Sequence, residues 1–406
     1  MGRLAKGGGM EINMKKIISV LLAVTLILGL CAFTAAAAEE PPAKPDGEST
    51  MTTGEEPPAK PDGEEAGSGE GKGDAPDTAS LTNTTHAEPI EFDVPEGVSY
   101  LAFTGDQHGE TPGYQVWLED VLLVYGDALE LVSYSGDVCD KSWEQETFDG
   151  FKEVLDSTVP GRYNVTTGNQ EFKKGAPGET WESLGDGFLK TGEVKVAENY
   201  VVYDIGATQE DPAFTDEAIE ALAAYLDAAP ADVPVFVLSH YPLHLAMGTE
   251  DHEIPGTDHR QTKNNKALID VLNQHPNVIF LWGHNHTFQD PRYGTICLPG
   301  AKMTYDYDNP TEKVEINFTY ANYGSFCRGD SYGLLASVES KDEGTEINLI
   351  YIDTNIADEE YDQAVITIGV DGAVSGEVTA GTGIDYDEML AMSGFSDDPN
   401  FMEELR

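Results

Sequence analysis

Short apolar segments that end in polar residues are the feature that most restricts how this 406-residue chain can fold. Their length and their content of valine, isoleucine, tyrosine and phenylalanine predict β-strands. Six such segments lie at 99–105, 129–136, 163–168, 200–206, 233–239 and 277–283. Helical patterns lie between them at 213–230 and 266–276. Strands that alternate with helices predict an α/β domain whose apolar strands are covered on both sides.

The pattern at 213–230 predicts a helix with both ends marked. Thr215 is suited to the N-cap, and acidic residues in the first turn favour the positive end of the helix dipole. Pro230 lies where the helix should end. After Cys297 the pattern changes, because strands follow one another without helices between them. These strands, at 314–323, 331–340, 346–354 and 363–370, are expected to complete or extend a second sheet.

The first residues of the chain have the pattern of a secretory signal peptide. Met14-Lys15-Lys16 is basic, 17–33 is apolar, and 34–38 consists of small residues suited to cleavage. We assign 1–38 to this signal peptide, with translation starting at Met14 or upstream of it. A transmembrane anchor is the alternative, but the apolar run is short and basic residues lie only on its N-terminal side. The mature protein is therefore expected to be secreted or extracytoplasmic, without an integral membrane segment.

An acidic, low-complexity segment follows at 39–89. The sequence EEPPAKPDGE occurs in it twice, at 39–48 and 55–64. Such a segment has too few apolar residues to offset the entropy of an ordered chain, so a disordered linker is predicted. The linker could tether the domain at a distance from the cell surface, or it could have no function. The folded domain is expected at 90–370, followed by an acidic C-terminal tail at 371–406.

The charge of the chain excludes several classes of partner. The net charge is −50 and the isoelectric point is about 4.2. Nucleic acids and anionic membrane surfaces would be repelled, whereas divalent cations would be attracted. After loss of the signal peptide three cysteines remain, an odd number that forms no disulfide framework. A single bridge between Cys297 and Cys327 stays open, and the sequence does not indicate the oligomeric state.

Polar residues cluster where five of the predicted strands end. Open α/β sheets bind ligands at the carboxyl ends of their strands. The side chains there are carboxylates, imidazoles and an amide, which suit zinc, manganese and iron. A glycine precedes four of these motifs, which would allow the backbone to turn sharply. The candidate ligands are Asp106, His108, Asp137, Asn169, His240, His284 and His286.

In this order, the motifs resemble those of the calcineurin-like metallophosphoesterases. The matching stretches are Asp-Gln-His at 106–108, Gly-Asp-Val-Cys-Asp at 136–140, Gly-Asn-Gln-Glu at 168–171, His240, and Gly-His-Asn-His at 283–286. The resemblance extends from about residue 97 to about residue 300. It implies a four-layer α/β/β/α sandwich of two mixed β-sheets flanked by helices.

The resemblance also implies a dinuclear site bridged by Asp137. The first ion would be held by Asp106, His108, Asp137 and His286, and the second by Asp137, Asn169, His240 and His284. The ions would be divalent or trivalent manganese, iron or zinc. A hydroxide between them would attack phosphorus in a small phosphomonoester or phosphodiester, the substrate that the resemblance implies.

Gln170 departs from the family pattern. The family has a histidine there, which contacts phosphate and protonates the leaving group, so the implied catalytic set is Asn169, His240 and Gln170. A glutamine can donate a hydrogen bond but cannot deliver a proton. The sequence thus leaves open a phosphoesterase that favours good leaving groups, and one whose proton comes from a histidine in the loop after His240. The alternative is a degenerate, non-catalytic metal- or phosphate-binding protein of the cell surface. The loop histidines are His244, His252 and His259.

Overall fold

The computed structural model describes the chain in segments. The described residues are 95, 97–139, 144–174, 178–206, 214–243, 246–248, 253–255, 264–284, 296–305, 312–327, 331–353 and 363–379. The predicted signal peptide, the linker at 39–89, residues 380–406, His286 and the loop histidines His244, His252 and His259 lie outside them. No helix among the described residues is long and apolar enough to cross a membrane.

Eighteen strands and six α-helices are described. The strands are β1 (Val98–Thr104), β2 (Leu129–Ser135), β3 (Tyr163–Thr166), β4 (Val194–Val196), β5 (Val201–Asp204), β6 (Val235–Leu238), β7 (Ala246–Gly248), β8 (Glu253–Pro255), β9 (Val278–Trp282), β10 (Ile296–Cys297), β11 (Lys302–Thr304), β12 (Lys313–Glu315), β13 (Thr319–Asn322), β14 (Gly324–Ser325), β15 (Tyr332–Lys341), β16 (Gly344–Asp353), β17 (Gln363–Gly369) and β18 (Val374–Thr379). The helices are α1 (Thr111–Tyr125), α2 (Gln145–Thr158), α3 (Asn169–Lys174), α4 (Gly178–Glu182), α5 (Asp216–Ala228) and α6 (Asn265–Leu272).

Two mixed sheets form the centre of the fold. The first has eight strands in the order β18-β17-β16-β15-β1-β2-β3, with β14 beside β15. In it β1, β2 and β3 are parallel, and β15 to β18 are antiparallel. The second has six strands in the order β10-β13-β9-β6-β5-β4, with β5, β6, β9 and β13 parallel. A small four-stranded sheet, β12-β11-β7-β8, pairs with neither of them and was not predicted.

The apolar side chains divide into three clusters that define four layers. Alternate residues of β1 face opposite ways, as the two-residue period of a strand requires. Leu101 and Phe103 pack between the two sheets with Val202 and Phe236. The other face of the first sheet packs against α1 and α2, and the outer face of the second packs against α5 and α6. The predicted α/β/β/α sandwich of two mixed sheets flanked by helices is therefore confirmed.

Most predicted elements are present, and α5 begins as expected. The hydroxyl of Thr215 accepts a hydrogen bond from the backbone N–H of Ala218 at 3.1 Å, which caps the helix. The segment 314–323 is two strands rather than one. Asn317 lies between them, and its backbone N–H donates to Asn273 Oδ1 at 2.7 Å, which ties this turn to the end of α6.

The sheet also continues past the predicted end of the domain. Val374–Thr379, placed by the sequence in an acidic tail that starts at 371, is β18 and pairs with β17. The folded part therefore extends at least to Thr379, and the boundary at 370 is corrected. Among the described residues the structure records Cys139, Cys297 and Cys327 as thiols, with no disulfide between Cys297 and Cys327.

Candidate metal centre

Six of the seven predicted ligands come together at the carboxyl ends of strands from both sheets. Asp106, Asp137 and Asn169 follow β1, β2 and β3 of the first sheet, and His240 and His284 follow β6 and β9 of the second. Because these strands are parallel within their sheets, their carboxyl ends meet on one side. The seventh candidate, His286, lies outside the described residues.

The first group of ligands consists of Asp106, His108 and Asp137. Each offers an atom within 4.8 Å of the atoms offered by the other two. His108 Nε2 lies 3.5 Å from Asp137 Oδ2 and 4.0 Å from Asp106 Oδ1. Asp106 and Asp137 are fully buried. Two buried carboxylates and an imidazole at these distances form a donor set that suits a cation.

The second group consists of Asp137, His240 and His284, again within 4.8 Å of one another. His240 Nε2 lies 3.3 Å from Asp137 Oδ2, 2.9 Å from Asn169 Oδ1 and 3.2 Å from His284 Nδ1. The amide oxygen of Asn169 thus lies beside this group. Asp137 belongs to both groups, so the arrangement fits two neighbouring cations that share one carboxylate.

The hydrogen bonds of His240 indicate which of its nitrogens would face a metal. Its Nδ1 lies 3.1 Å from the carbonyl oxygen of Ser135, which can only accept. For the neutral imidazole that would bind a metal we therefore assign the proton to Nδ1, which leaves the lone pair on Nε2, the atom that faces Asp137 and Asn169. A second partner that fixes the tautomer is the usual arrangement of a metal-binding histidine.

Opposite charges hold the cluster together. Burial alone would raise the pKa of Asp137, but His240, His108 and His284 hold it well below its usual range. Burial would also lower the pKa of His240, whereas the carboxylates of Asp137 and Asp106 and the bond to Ser135 raise it to about 9. The imidazole of metal-free protein is thus protonated at neutral pH. A metal ion would have to displace that proton.

Four residues of the site have a left-handed backbone conformation, which residues other than glycine rarely adopt. Asp106, His108, Asp137 and His284 have φ of 52°, 48°, 56° and 78°, and only one further described non-glycine residue has a positive φ. Such strain persists where the surroundings fix the backbone, and it is typical of functional sites. Here the backbone N–H of His284 donates to Asp106 Oδ2 at 2.9 Å, which links the two sheets.

The glycines before the ligands have another role than predicted. Of the four glycines that precede candidate ligands, only Gly136 has a positive φ, of 82°. At the others an added Cβ would clash with neighbouring atoms: with Asp137 Oδ1 at Gly168, with the Tyr323 ring at Gly105, and with the Tyr323 hydroxyl at Gly283. These glycines are therefore required for close packing around the site, and only Gly136 for the direction of its turn.

Gln170 lies beside the shared carboxylate. Its backbone N–H donates to Asp137 Oδ1 at 2.8 Å. Its side-chain Oε1 is buried and has no hydrogen-bond partner among the described residues. Gln170, which stands in place of the expected histidine, is thus held next to the candidate metal ligands, and its amide group carries no transferable proton.

Sequence reasoning did not assign a role to Glu171. Its carboxylate accepts three backbone hydrogen bonds, from Asp137 at 2.9 Å, Val138 at 2.9 Å and Gly168 at 2.7 Å. Burial and the nearby Asp137 raise its pKa to about 7, although these three N–H groups oppose the shift. Glu171 joins the ends of β2 and β3, and the acid two positions after Asn169 was the signal that could have found it.

Comparisons with known proteins give likenesses of fold only. Neither a family model nor a curated protein matches the sequence. TT1561 of Thermus thermophilus is 11% identical, with a TM-score of 0.36 over 69% of this chain and 98% of that chain. Vps29 of Chaetomium thermophilum is 9% identical, with a TM-score of 0.24 over 70% of this chain and 97% of that chain. A Saccharomyces cerevisiae protein serine/threonine phosphatase with similarity to human phosphatase PP5 is 11% identical, with a TM-score of 0.24 over 71% of this chain and 81% of that chain.

Proposed function

We propose that this protein is a secreted, metal-dependent phosphoesterase that hydrolyses a phosphomonoester or phosphodiester with two metal ions. The observation that carries the proposal is the position of Asp137. Its carboxylate belongs to both groups of candidate ligands, which supports a role as the shared ligand of two cations. Manganese, iron and zinc all suit carboxylate, imidazole and amide ligands.

The residues divide between the two ions as the family resemblance implies. Asp106, His108 and Asp137 would hold the first ion, with His286 as its fourth ligand, and Asp137, Asn169, His240 and His284 would hold the second. Bound there, the ions would activate water as a nucleophile at neutral pH and neutralise charge on the phosphoryl oxygens. The buried carboxylate of Glu171 keeps the backbone around Asp137 in place, and Ser135 orients His240.

The side chain of Gln170 should narrow the range of esters that the site hydrolyses. An amide could hydrogen-bond to a phosphoryl oxygen, but it cannot protonate a departing alkoxide. General acid catalysis typically contributes about 10²–10⁴-fold to a rate. A site without this contribution should therefore favour esters whose leaving groups depart without a proton, such as aryl phosphates.

The test combines metal analysis with a panel of substrates. Purified protein should contain about two ions of manganese, iron or zinc per chain and should hydrolyse an aryl phosphate or an aryl phosphodiester. Asp137→Ala should reduce turnover to background, because it removes a ligand from both ions. Asp149→Ala, which changes an exposed acid of α2, is the matched control. Wild-type protein without bound metal, or an active Asp137→Ala variant, would contradict the proposal.

Gln170 also supports a second candidate, a cell-surface protein that binds metal or phosphate without turnover. The loss of the proton donor is the observation that favours it. This candidate predicts protein that binds metal and shows no hydrolysis of any ester in the panel, including those with good leaving groups. Hydrolysis that depends on Asp137 would exclude it.

A further inference from the structure

Tyr323 occupies a central position beneath the candidate metal centre. It follows β13 in the second sheet, and its side chain is fully buried. Its hydroxyl donates to the carbonyl oxygen of Ser135, at the end of β2 in the first sheet, at 2.8 Å. The same hydroxyl oxygen lies 3.3 Å from Nδ1 of His240. One side chain thus contacts strand ends that belong to both sheets.

These contacts place two acceptors around one nitrogen. The carbonyl of Ser135 has no proton, and the single proton of Tyr323 is directed to that carbonyl. Both atoms therefore accept from Nδ1–H of His240, so that the neutral, metal-binding imidazole keeps its proton on Nδ1 and its lone pair on Nε2.

The ring of Tyr323 also explains two of the glycines. A Cβ at Gly105 would lie 2.7 Å from Cε2 of Tyr323, and a Cβ at Gly283 would lie 2.1 Å from its hydroxyl oxygen. Gly105 directly precedes Asp106, and Gly283 directly precedes His284. The ring therefore fills the space in which the backbones of two ligand-bearing loops approach each other.

We infer that Tyr323 is a positioning residue of the metal centre, which fixes the tautomer of His240 through its hydroxyl and the spacing of the Asp106 and His284 loops through its ring. This inference rests on the proposed metal site. Partners of this kind, which orient a metal-binding histidine, typically change metal affinity about 10–100-fold when they are removed. The hydroxyl should thus matter for the ion held by His240.

The experiment compares Tyr323→Phe with a matched control. Tyr351→Phe also removes a buried hydroxyl that donates to a backbone carbonyl, but its acceptor at 2.7 Å is Asn322, which is not a candidate ligand. Zn²⁺ affinity is measured by competition with a chelating dye, and folding by thermal denaturation. We expect Tyr323→Phe to weaken one of the two Zn²⁺ affinities about 10–100-fold and Tyr351→Phe to weaken neither.

The outcomes separate this inference from the proposed function. If wild-type protein binds no Zn²⁺, the proposed function fails. If wild-type protein binds two ions and Tyr323→Phe binds them equally well, the inference alone is overturned. A readout that needs no Tyr323 variant is the imidazole NMR spectrum of Zn²⁺-loaded wild-type protein, with His240 assigned by loss of its signals in His240→Asn. A proton on Nδ1 is expected, and a proton on Nε2 would overturn the inference.

Discussion

Gln170 is the residue at which the sequence departs from the motif that it resembles. Its backbone bond to Asp137 Oδ1 keeps it at the edge of the ligand cluster whatever its side chain is. Gln170→His would therefore place an imidazole there without moving the metal ligands. We expect the variant to gain turnover mainly on esters with poor leaving groups, by up to about 10²–10⁴-fold, because it restores a proton donor.

The measurement is the ratio of kcat/KM for an alkyl phosphate to that for an aryl phosphate. Gln170→Asn, which shortens the side chain without adding a proton donor, is the control and should leave the ratio low. An equal ratio in wild-type protein and Gln170→His would show that no proton donor is missing at this position.

At the scale of residues, the sequence indicated the candidate ligands but not the residues that support them. Candidate ligands such as Asp137 and His240 could be proposed because their residue types recur at strand ends. Tyr323 could not, because its hydroxyl bonds to Ser135, 188 positions away, and a buried tyrosine has no distinguishing neighbours in sequence. The role of a supporting residue depends on contacts between distant strands, which composition and spacing do not record.

At the scale of elements, Glu171 connects β2, β3 and the start of α3. One of its carboxylate oxygens accepts from Asp137 and Gly168, and the other accepts from Val138. Glu171→Gln keeps the size of the side chain but turns one acceptor into a donor that faces a backbone N–H. A buried donor without an acceptor costs about 1–3 kcal/mol, so the free energy of unfolding should fall by about that amount.

Chemical denaturation of metal-free protein measures this change. Glu153→Gln, at an exposed position of α2, is the control and should change the free energy of unfolding by less than about 0.5 kcal/mol. A Glu171→Gln variant as stable as this control would mean that the three backbone bonds do not hold the ends of β2 and β3 together.

Two elements that the sequence did not reveal lack a clear apolar pattern, but for different reasons. Helix α1 buries Trp117 and Leu118 against the first sheet, and apolar residues occupy so much of its surface that no single helical face stands out. Strand β18 has the opposite character, because most of its residues are exposed and no apolar alternation marks it. Its place is set by pairing with β17, a contact between neighbours in the sheet rather than a property of its own residues.

At the scale of the whole molecule, the packing of two sheets both creates the site and constrains stability. The sheets bring the ends of five strands that precede candidate ligands close together. Supporting groups next to these ends, such as Tyr323, are buried. The predicted sandwich could be reached from the sequence because strand and helix patterns fix the layers. The meeting of particular loops, such as those of Asp106 and His284, depends on how the sheets pack.

Asp204, at the end of β5, shows the cost of burying an acid in this packing. It is 1% exposed, and the backbone N–H of Gly206 donates to its Oδ1 at 3.0 Å. Burial raises the pKa of Asp204 to about 8; Glu193 adds to this shift, whereas the bond from Gly206 opposes it. An unfolded aspartic acid has a pKa of about 3.9. Between these values the folded state holds a proton that the unfolded state has lost.

Stability should therefore fall as the pH rises from about 4 to about 8, by about 1.4 kcal/mol for each pKa unit of the difference. Asp204→Asn removes the titrating group and retains an oxygen that can accept from Gly206. The variant should gain stability relative to wild-type protein across this interval, and the gain should level off above it.

Denaturant unfolding of both proteins in the presence of a chelator, at pH 4 to 9, measures the difference. Asp127→Asn, a change at an exposed position, is the control and should follow wild-type protein. Parallel curves for wild-type protein and Asp204→Asn would show that Asp204 does not fold as a protonated acid.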